Sequence, residues 1–226
     1  VQPDTTVVLV RHGQSEWNAA GRWQGQADPP LTARGAAQAR HAVGALRALG
    51  PFAAVVASDL QRARRTAEVV ADGLGLAPVT IEPAWRERHV GAWTGMTRAE
   101  IDVAFPGWWP DGPRPDGFES DEAVADRVLP ALAALGDRFA GRRVVVVTHG
   151  GVIRTIVRCV DPAHDAYVGN LDARIVHLDP RGTIVGVDPV RPLVDHDALE
   201  AALVATGLDV AHVDVSAAEQ GEFHRP

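Results

Sequence analysis

The sequence predicts an α/β fold: a three-layer α/β/α sandwich with a mostly parallel sheet and helices on both faces. Three observations predict it. Short, continuous apolar runs recur along the chain and end in polar or charged residues, as strands buried on both faces do. Between them lie alanine-rich stretches with helical spacing and cap residues at their starts. The chain has 226 residues and a 46% apolar composition, enough for one domain with a sizeable core.

The elements follow in order. Thr6 to Arg11 (TVVLVR) reads as a buried parallel strand. Thr32 to Leu49 reads as a helix, with Ala39, Val43 and Leu46 apolar. Ala53 to Ala57 is a second strand, and Ser58-Asp-Leu-Gln61 resembles a capping box for a helix to about Leu74. Val79 to Glu82 is a short strand, and Thr97 to Glu100 is a second capping box. Phe105 to Gly117 holds four prolines and three glycines, so it is expected to be loop. Ser120 caps a helix to about Phe139 that contains Pro130, a candidate kink. Val144 to Thr148 is the most apolar strand, and a helix from Gly151 to Val160 follows it. Ala173 to Leu178 and Thr183 to Val187 suggest a closing hairpin, and Asp195 to Thr206 a last helix. Residues 1–206 are therefore expected to form a single domain. The tail, 207–226, has no clear period and no assigned role.

Composition excludes several classes. The only cysteine, Cys159, rules out an intrachain disulfide or a multi-cysteine metal site, and its apolar surroundings suggest a buried position. All 22 basic residues are arginine, so no mechanism can use a Schiff-base or P-loop lysine. A net charge of −7 disfavours nucleic acid as a partner. No run could span a bilayer, and Val1 to Thr6 lacks the pattern of a signal peptide. A soluble cytoplasmic protein without a membrane partner is expected.

In mostly parallel sheets, ligands bind at the carboxyl ends of the strands. Arg11 and His12 follow the first strand, Arg62 the second, and His149 the VVVVT strand. Residues far apart in sequence are thus predicted to meet at one edge. Several fixed donors around one point suit a phosphoryl group, whose charge spreads over equatorial oxygens, and arginine's planar fork matches those oxygens.

Six blocks then occur in order: RHGQSEWN (Arg11 to Asn18), GRWQGQADPPLT (Gly21 to Thr32), SDLQRARRTAE (Ser58 to Glu68), ERHVGAWTG (Glu87 to Gly95), GFES (Gly117 to Ser120) and VVVVTHGG (Val144 to Gly151). Together they make the chain resemble the histidine phosphatase, or phosphoglycerate-mutase-like, superfamily over roughly Val7 to Leu178. The resemblance implies a nucleophilic His12, an acid Glu87, and a phosphate pocket of Arg11, Asn18, Arg62 and His149. It also implies a substrate side that includes Trp23, Gln24, Gly25 and Arg98. It implies neither metal nor cofactor, and its partner would be a small-molecule phosphate ester. A homodimer is left open.

Other residues receive ordinary readings. Arg64 and Glu68 form an i,i+4 pair on a solvated face. His89 is read as structural, and Ser120 as a cap. His164, His177, His196, His212 and His224 have no metal-ligand spacing.

The resemblance allows two reactions. Mutases of this type carry a tyrosine three places after the acid and an arginine pair in a long insert. Here Val90 takes the first place, the insert offers only Arg114, and the interval from Glu87 to His149 is 62 positions. A phosphatase is preferred, although Arg98 matches a basic mutase position. Trp23, Trp108 and Trp109 could form an aromatic wall for a sugar or other bulky leaving group, or could simply be core. Relatives that this chain looks like include phosphatases of glucosyl-3-phosphoglycerate. A non-catalytic phospho-ligand module is disfavoured because His12 and Glu87 are both present.

Overall fold

The computed structural model describes residues 4–108, 112–162 and 166–205. Trp109, His164, His212, His224 and the 207–226 tail lie outside them. One seven-stranded sheet runs through the molecule in the order β3-β2-β4-β1-β5-β6, with β7 beside β5. Strands β1 (Thr5–Arg11), β2 (Ala54–Ala57), β3 (Thr80–Ile81) and β4 (Arg143–Thr148) are parallel. Strands β5 (Asp172–Leu178), β6 (Ile184–Val187) and β7 (Arg191–Pro192) close the sheet in antiparallel fashion.

The layers follow from alternation along these strands. Val8, Val10, Val55, Val145 and Val147 face one side, where they meet α2 (Ala33–Ala48), α3 (Gln61–Leu74) and α7 (His196–Ala205). Val7, Leu9, Val56, Val144 and Val146 face the other, against α5 (Asp121–Arg138) and α6 (Gly150–Val160). Val7 to Val10 and Val144 to Val147 are fully buried, and each such side chain contributes about 1.5–3 kcal/mol. A third, smaller cluster of Val90, Trp93, Ile101 and Trp108 forms beyond the sheet edge, where α4 (Arg98–Ala104) packs.

Most expected elements are present with ends shifted by a residue or two. Pro130 lies within one continuous helix. Thr97 and Ser120 act as caps, accepting from the amides of Glu100 and Ala123. Three expectations need correction or addition. Ser58 does not cap α3: Leu60 is the cap residue and offers no side chain. Instead the Asp28 carboxylate reaches in from a distant loop and accepts from Gln61 N at 2.7 Å. Cys159 is exposed, on the outward side of α6. A short helix absent from the expectation, α1 (Glu16–Ala19), is held by reciprocal capping between Ser15 and Asn18.

Two glycines let the loop after β1 lie against α2. A Cβ on Gly13 would stand 2.5 Å from the Gly35 carbonyl oxygen, and one on Gly35 would stand 2.1 Å from that of Gln14. Both obstacles are backbone, so neither can move cheaply. Gly35→Ala should therefore cost about 1–3 kcal/mol by overpacking. In urea titration the midpoint should fall while the slope stays constant.

Candidate active site

His12 continues β1, with its amide bonded to the Thr148 carbonyl at 2.9 Å. Its Nδ1 lies 2.7 Å from the Gly13 carbonyl. A carbonyl only accepts, so Nδ1 carries the proton and Nε2 keeps its lone pair. Arg62 Nε donates to that Nε2 at 3.3 Å, consistent with this tautomer. Burial, then Arg62 and Arg11, hold the His12 pKa well below its ordinary 6.5.

Arg62 sits in the first turn of α3 with no exposed surface. It donates to the carbonyls of Ala27 at 2.7 Å and Gly25 at 2.8 Å. Burial lowers its pKa to about 10, with Glu87 and Asp28 opposing, so it is charged at neutral pH. Gly25 reaches its turn with φ +51°. Arg11 donates to Tyr167 Oη at 3.0 Å and to the Val168 carbonyl at 2.9 Å. The carbonyls that Arg62 engages satisfy its donors without cancelling its charge.

His149 precedes α6 at the end of β4. Its ring centroid is 5.1 Å from that of His12, and Nε2 lies 3.0 Å from Ser58 Oγ. Nδ1 is buried without a hydrogen-bond partner among the described residues. Burial first, then Arg62, His12 and Arg11, depress its pKa well below 6.5. Ser58, read from sequence as a helix cap, is therefore a partner of this histidine.

Glu87 stands across the cavity. Its carboxylate accepts from Arg88 N at 2.7 Å and Gly151 N at 3.1 Å. A Cβ on Gly151 would fall 2.4 Å from Glu87 Oε1, so the second glycine of THGG makes room for this carboxylate. The loop carrying Glu87 is clipped by Arg127 of α5, which donates to the carbonyls of Ala84, Arg86 and Glu87 and pairs with both oxygens of Glu119.

One cavity of about 520 Å³ is lined by Arg11, His12, Asn18, Arg62 and Glu87. Trp23, Gln24, Gly25 and Arg98 line it as well. His149 lies behind this surface with no exposure. Asn18 Oδ1 accepts from Ser15 N at 3.2 Å, and Ser15 Oγ donates to Gln24 Oε1 at 2.8 Å. Arg98 pairs with Asp102 at 3.0 Å and lies 4.5 Å over Trp108. Trp23, Trp93 and Trp108 pack edge to face beside the cavity. Trp93 and Trp108 are nearly inaccessible, so the aromatic wall is mainly packed core with one lining face. Arg64 and Glu68 pair on the surface, and the exposed His89 places Nδ1 2.9 Å from the Gly117 carbonyl, in the segment before α5.

Arg154 and Arg158 of α6 also line the cavity, beyond what the sequence reading assigned. Their signal is helical spacing: Gly151, Arg154 and Arg158 are three and four residues apart and share one face. Asn170 is a further neighbour of the site, donating to the His12 carbonyl at 2.8 Å.

The family model of the histidine phosphatase superfamily (branch 1) matches residues 7–180. The chain belongs to that superfamily. A glucosyl-3-phosphoglycerate phosphatase of Mycolicibacterium vanbaalenii is 43% identical over 162 residues, covering 66% of this chain and 71% of the relative. A 2,3-bisphosphoglycerate-dependent phosphoglycerate mutase of Methylobacterium radiotolerans is 40% identical, covering 74% and 84%. The solved structure of Bacillus stearothermophilus YhfR superposes with a TM-score of 0.72 at 33% identity, covering 84% of this chain and all of that one.

The two depressed imidazoles of this histidine phosphatase make its stability depend on pH. The unfolded chain binds protons near pH 6.5, whereas the folded sites bind them only at lower pH. Stability is therefore retained above about 6.5 and lost as pH falls from there towards the folded pKa values. The melting temperature should decline over that window, and His12→Asn should flatten the decline.

Proposed function

We propose that this histidine phosphatase is a metal-independent phosphomonoesterase that works through a phosphohistidine. The observation that carries the reading is the fixed His12 tautomer, with Nδ1 bound to the Gly13 carbonyl and Nε2 beside Arg62. His12 Nε2 attacks phosphorus as the P–O bond to the leaving group breaks. Glu87, in its protonated form, gives its proton to the departing oxygen. Arg11 and Arg62 hold the phosphoryl oxygens with Asn18, and His149 takes up a proton when the anion binds, because the nearby negative charge favours the imidazolium. Glu87, now a carboxylate, accepts a proton from water, which attacks phosphorus and frees His12.

The substrate is proposed to be a small organic phosphate with an acidic leaving group. Arg88, Arg154 and Arg158 line the wall beyond Glu87, where Asp121 pairs with Arg88 and Arg158; three cations around that one carboxylate support a substrate carboxylate there. The Trp23 face supports a bulky or sugar-like portion. Glucosyl-3-phosphoglycerate combines both features and is the named substrate of one relative. A mutase is the second reading, favoured by Arg98 on the cavity wall. Against it, the position of the mutase tyrosine is Val90, which is packed into the small cluster beyond the sheet.

Activity on an aryl phosphate should survive a chelator; loss that a divalent ion restores would sink the reading. His12→Ala should abolish turnover. Glu87→Gln should slow esters with poor leaving groups by about 10²–10⁴-fold and aryl phosphates less at the first step. Labelled phosphate from 3-phosphoglycerate should appear as free phosphate. Rapid formation of 2-phosphoglycerate would establish the mutase instead.

A further inference from the structure

The segment after α6 returns to the site as a strap. Tyr167 Oη and the Val168 carbonyl hold Arg11. Leu171 N donates to the Arg11 carbonyl at 3.0 Å. Between them, Asn170 Nδ2 donates to the His12 carbonyl at 2.8 Å and stands 3.4 Å from Asn18 Oδ1.

The backbone here is unusual. Leu171 has φ +60°, the one non-glycine residue in the left-handed region among those described. Its side chain is fully buried, and its carbonyl accepts from Leu193 N. Strained backbone persists where its surroundings over-determine it, and such outliers gather at functional sites. Here the conformation delivers the preceding residue, Asn170, to the nucleophile.

We infer that Asn170 is a positioning residue for His12, acting through the peptide that follows it. That peptide is held at both ends. Its carbonyl, His12 O, accepts from Asn170, and its N–H, Gly13 N, donates to Thr66 Oγ1 at 3.0 Å. Thr66 is itself fixed by donating to the Arg62 carbonyl at 2.7 Å. With this plane set, the next carbonyl, Gly13 O, faces His12 Nδ1. Asn170 thereby helps aim the imidazole and select its tautomer. The same amide joins Ser15 in engaging Asn18 Oδ1, which turns the donor edge of Asn18 towards a phosphate. The inference rests on the phosphohistidine reading.

The test uses rapid-quench kinetics with an aryl phosphate on the full chain. Burst amplitude counts competent sites, whereas burst rate reports phosphohistidine formation per site, so partial unfolding cannot imitate a positioning defect. Asn170→Asp keeps the shape but replaces the donor with an acceptor facing two oxygens. Its burst rate should fall at least tenfold at neutral pH, while the inhibition constant of inorganic phosphate changes less than threefold. Asn170→Ala should fall less, because it removes the donor without adding repulsion. As pH is lowered towards about 5, nearer the carboxyl range, protonation restores an O–H donor, and the ratio of Asp-variant to wild-type rate should rise. An Asp variant within twofold of wild type at neutral pH would overturn the inference. So would a ratio that does not change with pH. If Asn170→Asp fails to fold, Asn170→Ala decides: an unchanged burst rate overturns the proposal and a several-fold fall supports it. Absence of any acid-labile, base-stable phosphohistidine in the quenched wild type would instead refute the phosphohistidine reading.

Discussion

The bond from His12 Nδ1 to the Gly13 carbonyl, 2.7 Å long, constrains everything around it. It fixes which nitrogen is basic, and it can form only if the loop after β1 turns sharply and stays there. The glycines at 13 and 35 permit the turn, because any side chain at either would meet backbone. Thr66 and Asn170 then hold the peptide between His12 and Gly13. This tautomer is thus maintained by contacts from α2, α3 and the strap before β5.

Around this bond the protein gathers cationic groups where burial would normally discharge them. Arg62 is wholly buried, and carbonyls of a neighbouring loop receive two of its nitrogens. Neutral acceptors satisfy the donors without cancelling the charge. Both histidines respond to this field and to burial by losing basicity. On the phosphohistidine reading, this makes His12 a free base for attack, while a dianionic phosphate would reverse the balance at His149. Glu87 is kept on the opposite wall by backbone amides, and the arginine clip through Arg127 fixes its loop from beneath.

The sheet was legible because each core strand is a continuous valine-rich run. The convergence of Arg11, His12 and Arg62 on one cavity followed from the carboxyl-edge rule, with His149 just behind them. Contacts that join distant segments through single polar atoms left no such pattern. Ser58 resembled a cap because its spacing to Gln61 fitted one, yet the true cap comes from Asp28, 33 positions away. Asn170 meets His12 across 158 positions, and no period marks it. Cys159 lies in an apolar helix but on its outer face, and a burial guess from composition could not choose the face. The α6 arginines obeyed helical spacing but needed the cavity to give that face a meaning.

These differences separate two layers of the site. On the phosphohistidine reading the reaction centre draws on residues at strand ends and helix starts: His12 after β1, His149 after β4 and Arg62 in the first turn of α3. The leaving group would meet a wall made from α4, α6 and the loop between Glu87 and α5, outside the sheet. Substitutions there can alter charge and shape without disturbing the His12 tautomer. Val90 shows the separation: it is packed beside Trp93 and Trp108, three residues from the Glu87 carboxylate. A larger polar residue at 90 would have to displace that cluster, and its contact with Gly25, whose Cβ would lie 2.8 Å from Val90 Cγ2, leaves little room. On the same reading, packing of the wall, more than the reaction centre, would set which phosphate esters fit.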